Sequence, residues 1–244
     1  MSTLKKVLSQ KIDAHRPRIT KLVKQCGDVK LGDVTIAQAI GGARGVKCLV
    51  TDISYLDPFE GIRFRGLTIP ETFDALPKVP GSEYPFVEGF WYMLLTGDVP
   101  TMDQTLEVVE DWKKRAEVPQ YVYDVLNALP DDAHPMAMFS SAVLAMQRDS
   151  VFAQNYRDGK FNKMTCWEDM YEDCNNMMAK LGPIGAYIYN KKYRNNDQIA
   201  ADPNLDMGGN FAHMIGQSDD YKDVSRMYFI LHSDHESGNV SAHT

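Results

Sequence analysis

The sequence lacks long hydrophobic runs and an excess of positive charge. Its longest uninterrupted apolar stretch, Phe90–Leu95, has six residues, far short of the ~20 that a membrane-spanning helix needs. Lysine and arginine together number 26 against 33 aspartates and glutamates, which gives a net charge of −7. An acidic surface does not suit the phosphate backbone of DNA or RNA. We therefore expect neither a membrane protein nor a nucleic-acid-binding protein, whereas a small anionic substrate in a local basic pocket stays possible.

Cysteine is also scarce, and the N-terminus has no long apolar segment. The four cysteines form no C-x-x-C pair, so we expect free thiols in a reducing compartment. A secretory signal would need an apolar core of about 7–15 residues, and Asp13 together with an immediate helical pattern argues against an organelle presequence. We expect the mature chain to begin near Met1, in a bacterial cytoplasm, or in the mitochondrial matrix if the chain is a processed eukaryotic one.

Most of the sequence shows the periodicity of amphipathic helices. Hydrophobic residues make up 44% of the chain, which is enough to form a core. Thr101–Gln104 and Thr165–Glu168 are capping-box patterns, His134-Pro135 is interpreted as a helix entry, and Gly182-Pro183 should kink or break the longest helix. The predicted helices are Leu4–Val23, Phe86–Thr96 closed by Gly97, Thr101–Ala116, a short one from Pro119 to Leu129, Met136–Met146, Thr165–Arg194, and one from Ser218 to the end of the sequence.

The sequence pattern changes between the first of these helices and the second. Between Val29 and Ile69, apolar residues alternate with polar ones and glycines are frequent, which predicts short strands and turns. The fold class we predict is mainly α, with a small β element near the N-terminus.

The densest polar cluster is the C-terminal segment His232–Thr244. On a continuing helix, His232 and His235 would be i,i+3 neighbours, and His235 would lie at the edge of the core, where its neighbours control its tautomer. Asn239 would follow beside the imidazoles. A solvated helix end with capping residues explains the same pattern about equally well. A zinc site that uses His243 as a third ligand is the less favoured alternative; the H-E-x-x-H motif is absent, since Asn239 stands where the second histidine would be, and we predict no metal.

Basic residues beside glycines form a second candidate site, one that could bind a phosphate. Arg44 lies within Gly41–Lys47, and Arg63 and Arg65 follow nearby. An arginine in a tight turn can hold a phosphate, although solvated arginines on β-turns are the favoured interpretation from the residues alone. Lys163, with Lys160, forms a smaller basic group with the same two interpretations.

At these motifs the sequence resembles citrate synthase, of the type found in mitochondria and in some bacteria. Serine stands at position 237 where the family usually has glycine. The resemblance runs along essentially the whole chain and is carried by the segments Leu231–Thr244, Gly41–Gly45, Asp57–Gly66, Glu88–Gly97, His134–Met136 and Trp167–Cys174.

The resemblance implies an activity and assigns residues to it. Citrate synthases join acetyl-CoA to oxaloacetate and hydrolyse the citryl-CoA that forms. His235 then matches an oxaloacetate-binding residue, and His232 and Asn239 lie in the same segment and shape that pocket. Arg44 matches an arginine near the phosphates of coenzyme A, and Lys163 lies near another such basic residue. Coenzyme A enters as a thioester substrate, and no covalently bound cofactor is implied.

The family's remaining catalytic groups come later in its sequences than this chain reaches. They are two further histidines, the catalytic aspartate and the arginines that clamp the substrate. We therefore expect residues 1–244 to be part of the large helical domain, without the small domain, and to have little or no activity alone. The resemblance also implies a homodimer formed through the helices at 136–146 and 165–194. A 2-methylcitrate synthase that uses propionyl-CoA, or a non-catalytic helical interaction module, are the alternatives.

Overall fold

The computed structural model describes residues 2–42, 45–46, 50–57 and 59–235. Within these residues the chain is mainly helical with a small sheet near the N-terminus, which confirms the predicted fold class. The elements are α1 (Thr3–Cys26), α2 (Ile36–Ile40), β1 (Ser54–Asp57), β2 (Gly61–Phe64), β3 (Leu67–Thr68), α3 (Ile69–Ala75), α4 (Val87–Thr96), α5 (Met102–Arg115), α6 (Gln120–Ala128), α7 (Pro135–Met146), α8 (Val151–Arg157), α9 (Cys166–Tyr193), α10 (Met207–Met214) and α11 (Asp220–Leu231).

The three strands found in the described part of the chain form an antiparallel sheet in the order β1-β2-β3. Ser54 lies opposite Phe64 in the first pair, and Arg63 lies opposite Thr68 in the second. Phe64 is fully buried and meets the ring of Phe90 edge-on at 4.9 Å between centroids. This aromatic contact belongs to a hydrophobic cluster that joins the sheet to α4.

Two helices make most of the core. Helix α4 is buried at eight positions, and Gly97 ends it with a φ of 77°, as the sequence predicts. Helix α9 lies between α5, α7, α8 and α10 and packs against all four. Its Ile184 and Ile188 belong to a cluster with α6 and α7, and its Tyr171 and Ala179 belong to another with α1, α4 and α5.

Several helix ends agree with the sequence. The Thr101–Gln104 capping box forms in full. His134 caps α7, because its Nδ1 accepts the backbone N–H of Met136 at 3.2 Å, so its role as a helix entry is confirmed. Pro183, however, does not break α9, which runs on to Tyr193. Pro183 and Ala179, whose carbonyl a residue with an N–H at position 183 would bond, both border a cavity of about 50 Å³.

Other local predictions were wrong. The segment from Val29 to Thr35 contains no strand, and α2 begins after it at a capping box between Thr35 and Gln38. Thr165 precedes α9 but makes no side-chain cap, because its φ and ψ of −117° and −7° are not the extended values from which an N-cap side chain reaches the third residue. Helix α11 ends at Leu231 instead of continuing, and His232 is its C-cap.

Three further observations complete the fold. Cys26, Cys166 and Cys174 are free thiols, as predicted, and Cys48 lies outside the described residues.

None of the helices described is both long and apolar enough to cross a membrane. Large apolar side chains are exposed on α7 and α9, including Leu144, which is 74% exposed.

Candidate functional site

The end of α11 positions His232 through two contacts with one residue. The Nδ1 atom of His232 lies 3.0 Å from the carbonyl oxygen of Tyr228, and its ring stacks on the Tyr228 ring with 3.9 Å between centroids. A carbonyl oxygen can only accept a hydrogen bond, so Nδ1 carries the proton. In the neutral imidazole, Nε2 is then left as a hydrogen-bond acceptor.

His232 borders a cavity of about 630 Å³. Helices α4, α7, α9, α10 and α11 surround it. Its walls are mostly apolar, with aromatic rings such as those of Phe90, Phe139 and Phe211, and His232 and Ser233 are polar residues at its edge. A concave apolar space with a few polar groups is typical of a binding site for a small molecule.

Two other residues expected to bind substrate, His235 and Lys163, are not among the described residues that line this cavity. His235 lies beyond the end of α11 and is exposed, so the prediction that it shares a helix with His232 at the edge of the core was wrong. The physical reason is that α11 ends at Leu231. Lys163 is exposed just before α9 and is not among the described residues that line the cavity. Arg44 and Asn239 lie outside the described residues.

The two described arginines of the basic candidate bind protein groups. Arg65 donates from Nε to the carbonyl oxygen of Leu94 at 3.0 Å, near the C-terminus of α4, and from Nη1 to Asp52 at 2.9 Å. Arg63 pairs with Glu60 at 2.6 Å. Arg63 therefore agrees with the favoured interpretation of a solvated arginine on a turn, whereas Arg65 does not, because its side chain is largely buried and stabilises the end of α4.

Sequence reasoning missed the charged residues that hold α11 in place. Arg226 lies in α11 and forms an ion pair with Asp206, the N-cap of α10, with side-chain exposures of only 5% and 2%. Glu88, in the first turn of α4, is buried beside them, and burial raises its pKa to about 7. An acidic residue inside the otherwise apolar stretch from Phe86 to Phe90 was the available signal.

A metal centre finds no support in the described part of the chain, where no group of three or more histidines, cysteines or carboxylates is placed to hold an ion. His232 and His235 belong to the described part of the chain, whereas His243, the third ligand of the zinc alternative, lies outside it.

Comparison with known proteins identifies the family. A family model described as "Citrate synthase, C-terminal domain" matches residues 42–244. The chain belongs to the citrate synthase family. It is 46% identical over 242 residues to citrate synthase 4, mitochondrial, from Arabidopsis thaliana. That alignment covers 99% of this chain and 51% of the Arabidopsis protein. It is 45% identical over 245 residues to a probable mitochondrial citrate synthase from Glossina morsitans morsitans, covering 100% of the chain and 52% of the relative.

Solved citrate synthase structures share the fold. The enzyme from Pyrobaculum aerophilum aligns with a TM-score of 0.67 at 23% identity, over 85% of this chain and 51% of that one. The Thermoplasma acidophilum citrate synthase, solved as a ternary complex with carboxymethyl coenzyme A and oxaloacetate, aligns with a TM-score of 0.64 at 21% identity, over 84% and 49% of the two chains. The chain thus spans about half the length of the citrate synthases it matches.

Proposed function

We propose that residues 1–244 form part of the large helical domain of a citrate synthase that condenses acetyl-CoA with oxaloacetate to give citrate and coenzyme A. The observation that carries the proposal is the family match over residues 42–244. It is supported by identities of 44–46% to citrate synthases from a plant, an insect and a fish over nearly the whole chain. The Thermoplasma relative of the same fold binds oxaloacetate and a coenzyme A analogue.

His235, His232 and Asn239 are the residues that we assign to oxaloacetate. His235 is the one that contacts a substrate carboxylate, as a donor from its imidazole. His232 shapes the pocket, and its fixed tautomer supports this role, because Nδ1 is held by Tyr228 and Nε2 is left to accept a hydrogen bond from a neighbouring protein group, oxaloacetate itself having no donor. Arg44 and Lys163 are assigned to the phosphates of coenzyme A, for which their positive charge is suited.

The remaining catalytic groups of the family are not among these 244 residues, so the isolated chain is proposed to be inactive. Two polypeptides test this: residues 1–244 alone, and residues 1–244 fused to the second half of the Arabidopsis relative. Thiol release from acetyl-CoA in the presence of oxaloacetate should be negligible for the first and clear for the second. Enzyme-like turnover by 1–244 alone would overturn the proposed inactivity. A fusion that is folded by circular dichroism yet releases no thiol would overturn the proposed function.

The site assignment is tested in the same fusion. His235→Gln should lower kcat/KM for oxaloacetate by on the order of 100-fold or more, because a contact to the reacting substrate is lost. His15→Gln, an exposed position on α1, is the matched control and should leave the rate unchanged. Equal rates for the two variants would remove His235 from the site.

The acyl substrate is proposed to be acetyl-CoA. The curated relatives named above are citrate synthases, which does not favour the 2-methylcitrate alternative. Comparing kcat/KM of the fusion for acetyl-CoA and propionyl-CoA tests this, and a preference for propionyl-CoA would reverse the assignment.

A homodimer formed through α7 and α9 is proposed as the assembly. Apolar side chains on these helices are exposed, among them Met136 at 61% and Leu144 at 74%. A groove of about 510 Å³ lies between the two helices and is bordered by Leu144 and Met177. Exposed apolar surface of this kind is typical of a subunit interface.

Sedimentation at micromolar concentration tests the dimer. Leu144→Asp should shift the protein towards the monomer, because a charge would be buried in the interface. Leu106→Asp, on the partly exposed face of α5, is the control and should not. A compact monomer in the unaltered protein would contradict the proposal, and a dimer that binds no oxaloacetate by calorimetry would favour the non-catalytic module.

Of the two locations expected from the sequence, we propose the mitochondrial matrix. The names of the Arabidopsis and Glossina relatives describe them as mitochondrial, and nothing comparable supports a bacterial cytoplasm. Fractionation of the source cells tests the location, and recovery in the cytosol alone would contradict it.

A further inference from the structure

Glu88 is a carboxylate in an unusual setting. It lies in the first turn of α4, and only 1% of the residue is exposed. Its Oε1 accepts the backbone N–H of Met207, the first residue of α10, at 2.8 Å. Its Oε2 is buried and has no hydrogen-bond partner among the described residues. An ionised carboxylate with one oxygen unpaired in the interior is strongly unfavourable, whereas a neutral carboxylic acid is tolerated far better.

The nearby positive charge is already engaged by two other carboxylates. Arg226 donates to both oxygens of Asp206, from Nε at 3.0 Å and from Nη2 at 2.6 Å. Its Nη1 donates to Asp223 at 2.6 Å. In the part of the chain that the structure describes, no hydrogen bond joins Arg226 to Glu88. The guanidinium therefore neutralises Asp206 first.

Lys113 does not supply a second positive charge for Glu88. Lys113 of α5 borders the same cavity of about 50 Å³ as Glu88, but its ammonium pairs with Glu110 at 3.0 Å. With Glu88 ionised, the buried trio of Glu88, Asp206 and Arg226 carries a net charge of −1. A single proton on Glu88 makes the trio neutral.

The expected titration agrees with this geometry. Burial is the largest cause that raises the pKa of Glu88 from 4.5 to about 7, and the negative charge of Asp206 adds to it. The hydrogen bonds from the backbone N–H groups of Met207 and of Glu88 itself, together with the charge of Arg226, lower the pKa and are outweighed. The carboxyl group therefore changes its charge near neutral pH.

Helices α10 and α11 are packed tightly against each other. A Cβ at Gly208 of α10 would lie 2.7 Å from Cγ of Arg226, so α10 and α11 are in very close contact there. Asp206 and Arg226 join the same two helices by their ion pair. We therefore expect a displacement of α10 from α4 to be transmitted to α11, whose C-cap is His232.

We propose that Glu88 is a positioning residue that holds the α10–α11 pair against α4 as a neutral carboxylic acid, and that ionisation of Glu88 loosens the end of α11 that carries His232. The proposal rests on the proposed function only in taking His232 as part of the oxaloacetate pocket. Its experiments measure stability and local opening, so they can fail independently of citrate synthesis.

Stability against pH is the first test. A carboxyl group whose pKa is raised on folding favours the folded state most at low pH, and this stabilisation is lost as pH rises from 4.5 through about 7. Linkage between these two values predicts that the folding equilibrium constant falls roughly 70-fold between pH 5 and pH 8 through Glu88 alone. Glu88→Gln should remove this contribution, because glutamine is neutral at both values. The exposed variant Glu83→Gln is the control and should keep the profile of the unaltered protein.

Hydrogen exchange of α11 is the second test, because a general structural role would not make one helix depend on pH. After correction for intrinsic exchange, protection of residues 220–231 should fall several-fold between pH 6 and pH 8 in the unaltered protein and stay constant in Glu88→Gln. Residues 120–128 of α6, which pack in a different hydrophobic cluster from α4, serve as the internal control. Identical α11 profiles in both proteins would overturn the proposal.

A measurement on the unaltered protein covers the case in which Glu88→Gln does not fold. Infrared spectroscopy should detect the C=O stretch of an unionised carboxyl group at pH 6 that disappears by pH 8.5, and Glu83→Gln should retain it. Absence of that band at pH 6 would overturn the proposal.

Discussion

Trp112 donates its indole N–H to Oδ1 of Asn175 at 2.9 Å in the fully buried interior. The same oxygen accepts the indole N–H of Trp91 at 3.2 Å, and Nδ2 of Asn175 donates to the carbonyl oxygen of Tyr171 at 2.8 Å. One amide from α9 thus satisfies two tryptophans, from α4 and α5, and joins the three helices at one point.

Removing that amide should be among the more damaging single changes in the core. Asn175→Ala leaves two indole donors without their acceptor, and we expect a loss of about 3 kcal/mol in the free energy of unfolding. Trp112→Phe removes one donor and keeps a ring, so it should cost less. Urea unfolding measures both. Asn204→Ala, an exposed asparagine, is the control, and an equal loss there would contradict the role of Asn175.

Arg65 should stabilise the C-terminal end of α4. Its guanidinium bonds to the carbonyl oxygen of Leu94, and only 16% of its side chain is exposed. Arg65→Ala should lower the free energy of unfolding by about 2 kcal/mol, because a charged donor to a helix end is lost. Arg63→Ala is the matched control, since that arginine pairs with Glu60 at the surface and should change little. Thermal unfolding that ranks the two in the reverse order would refute the prediction.

Glu172 should stabilise the protein on the opposite side of the pH scale from Glu88. Burial favours its neutral form, but hydrogen bonds from Lys5 and Arg115 outweigh burial and lower its pKa below 4.5. A lowered pKa contributes stability that is present above 4.5 and is lost as pH falls further. Glu172→Gln should therefore be less stable than the unaltered protein at pH 7, and the difference should shrink as the pH is lowered to 3.

Denaturant unfolding at the two pH values measures this difference. Glu168→Gln is the control, because its contact with Lys5 is longer, at 3.6 Å, and its side chain is 43% exposed. A Glu172→Gln deficit that persists undiminished at pH 3 would show that the ion pairs are not its cause.

The close approach of α10 and α11 depends on glycine at position 208. In Gly208→Ala the new Cβ would meet Arg226 at 2.7 Å from its Cγ and 3.3 Å from its backbone N, so we expect a loss of about 1–3 kcal/mol by overpacking. Gly185→Ala in α9 is the matched control, since its Cβ would only reach ordinary contact, 3.5 Å from Phe211. Calorimetric melting should show a lower Tm for the first variant only.

Local signals accounted for much of the secondary structure. Gly97, the Thr101 capping box and Pro135 each act within one turn of chain, so the ends of α4, α5 and α7 could be predicted without tertiary information. Thr165 shows the limit of such signals, because Asn162 already forms the turn that precedes α9 and the threonine side chain is not used. The alternation between Val29 and Ile36 was equally misleading, since no neighbouring strand is present in the described structure to pair with it.

The candidate site, like the secondary structure, could be predicted from the sequence only in part. The motif from His232 to Thr244 indicates the family by the identity and order of its residues, which need no knowledge of how the chain packs. The setting of His232 on Tyr228 could not be predicted, since it depends on where α11 ends.

By itself, the sequence determined the helical class, the family and the residues that we assign to oxaloacetate, because patterns of residue type are sufficient for these. Only the tertiary structure decided the protonation of Glu88. It lies 119 residues from Met207, whose N–H it accepts, and beside an ion pair whose members are 20 residues apart. Burial and charge balance are properties of the packed chain, so a glutamate that looks ordinary in the sequence becomes a group that titrates near neutral pH.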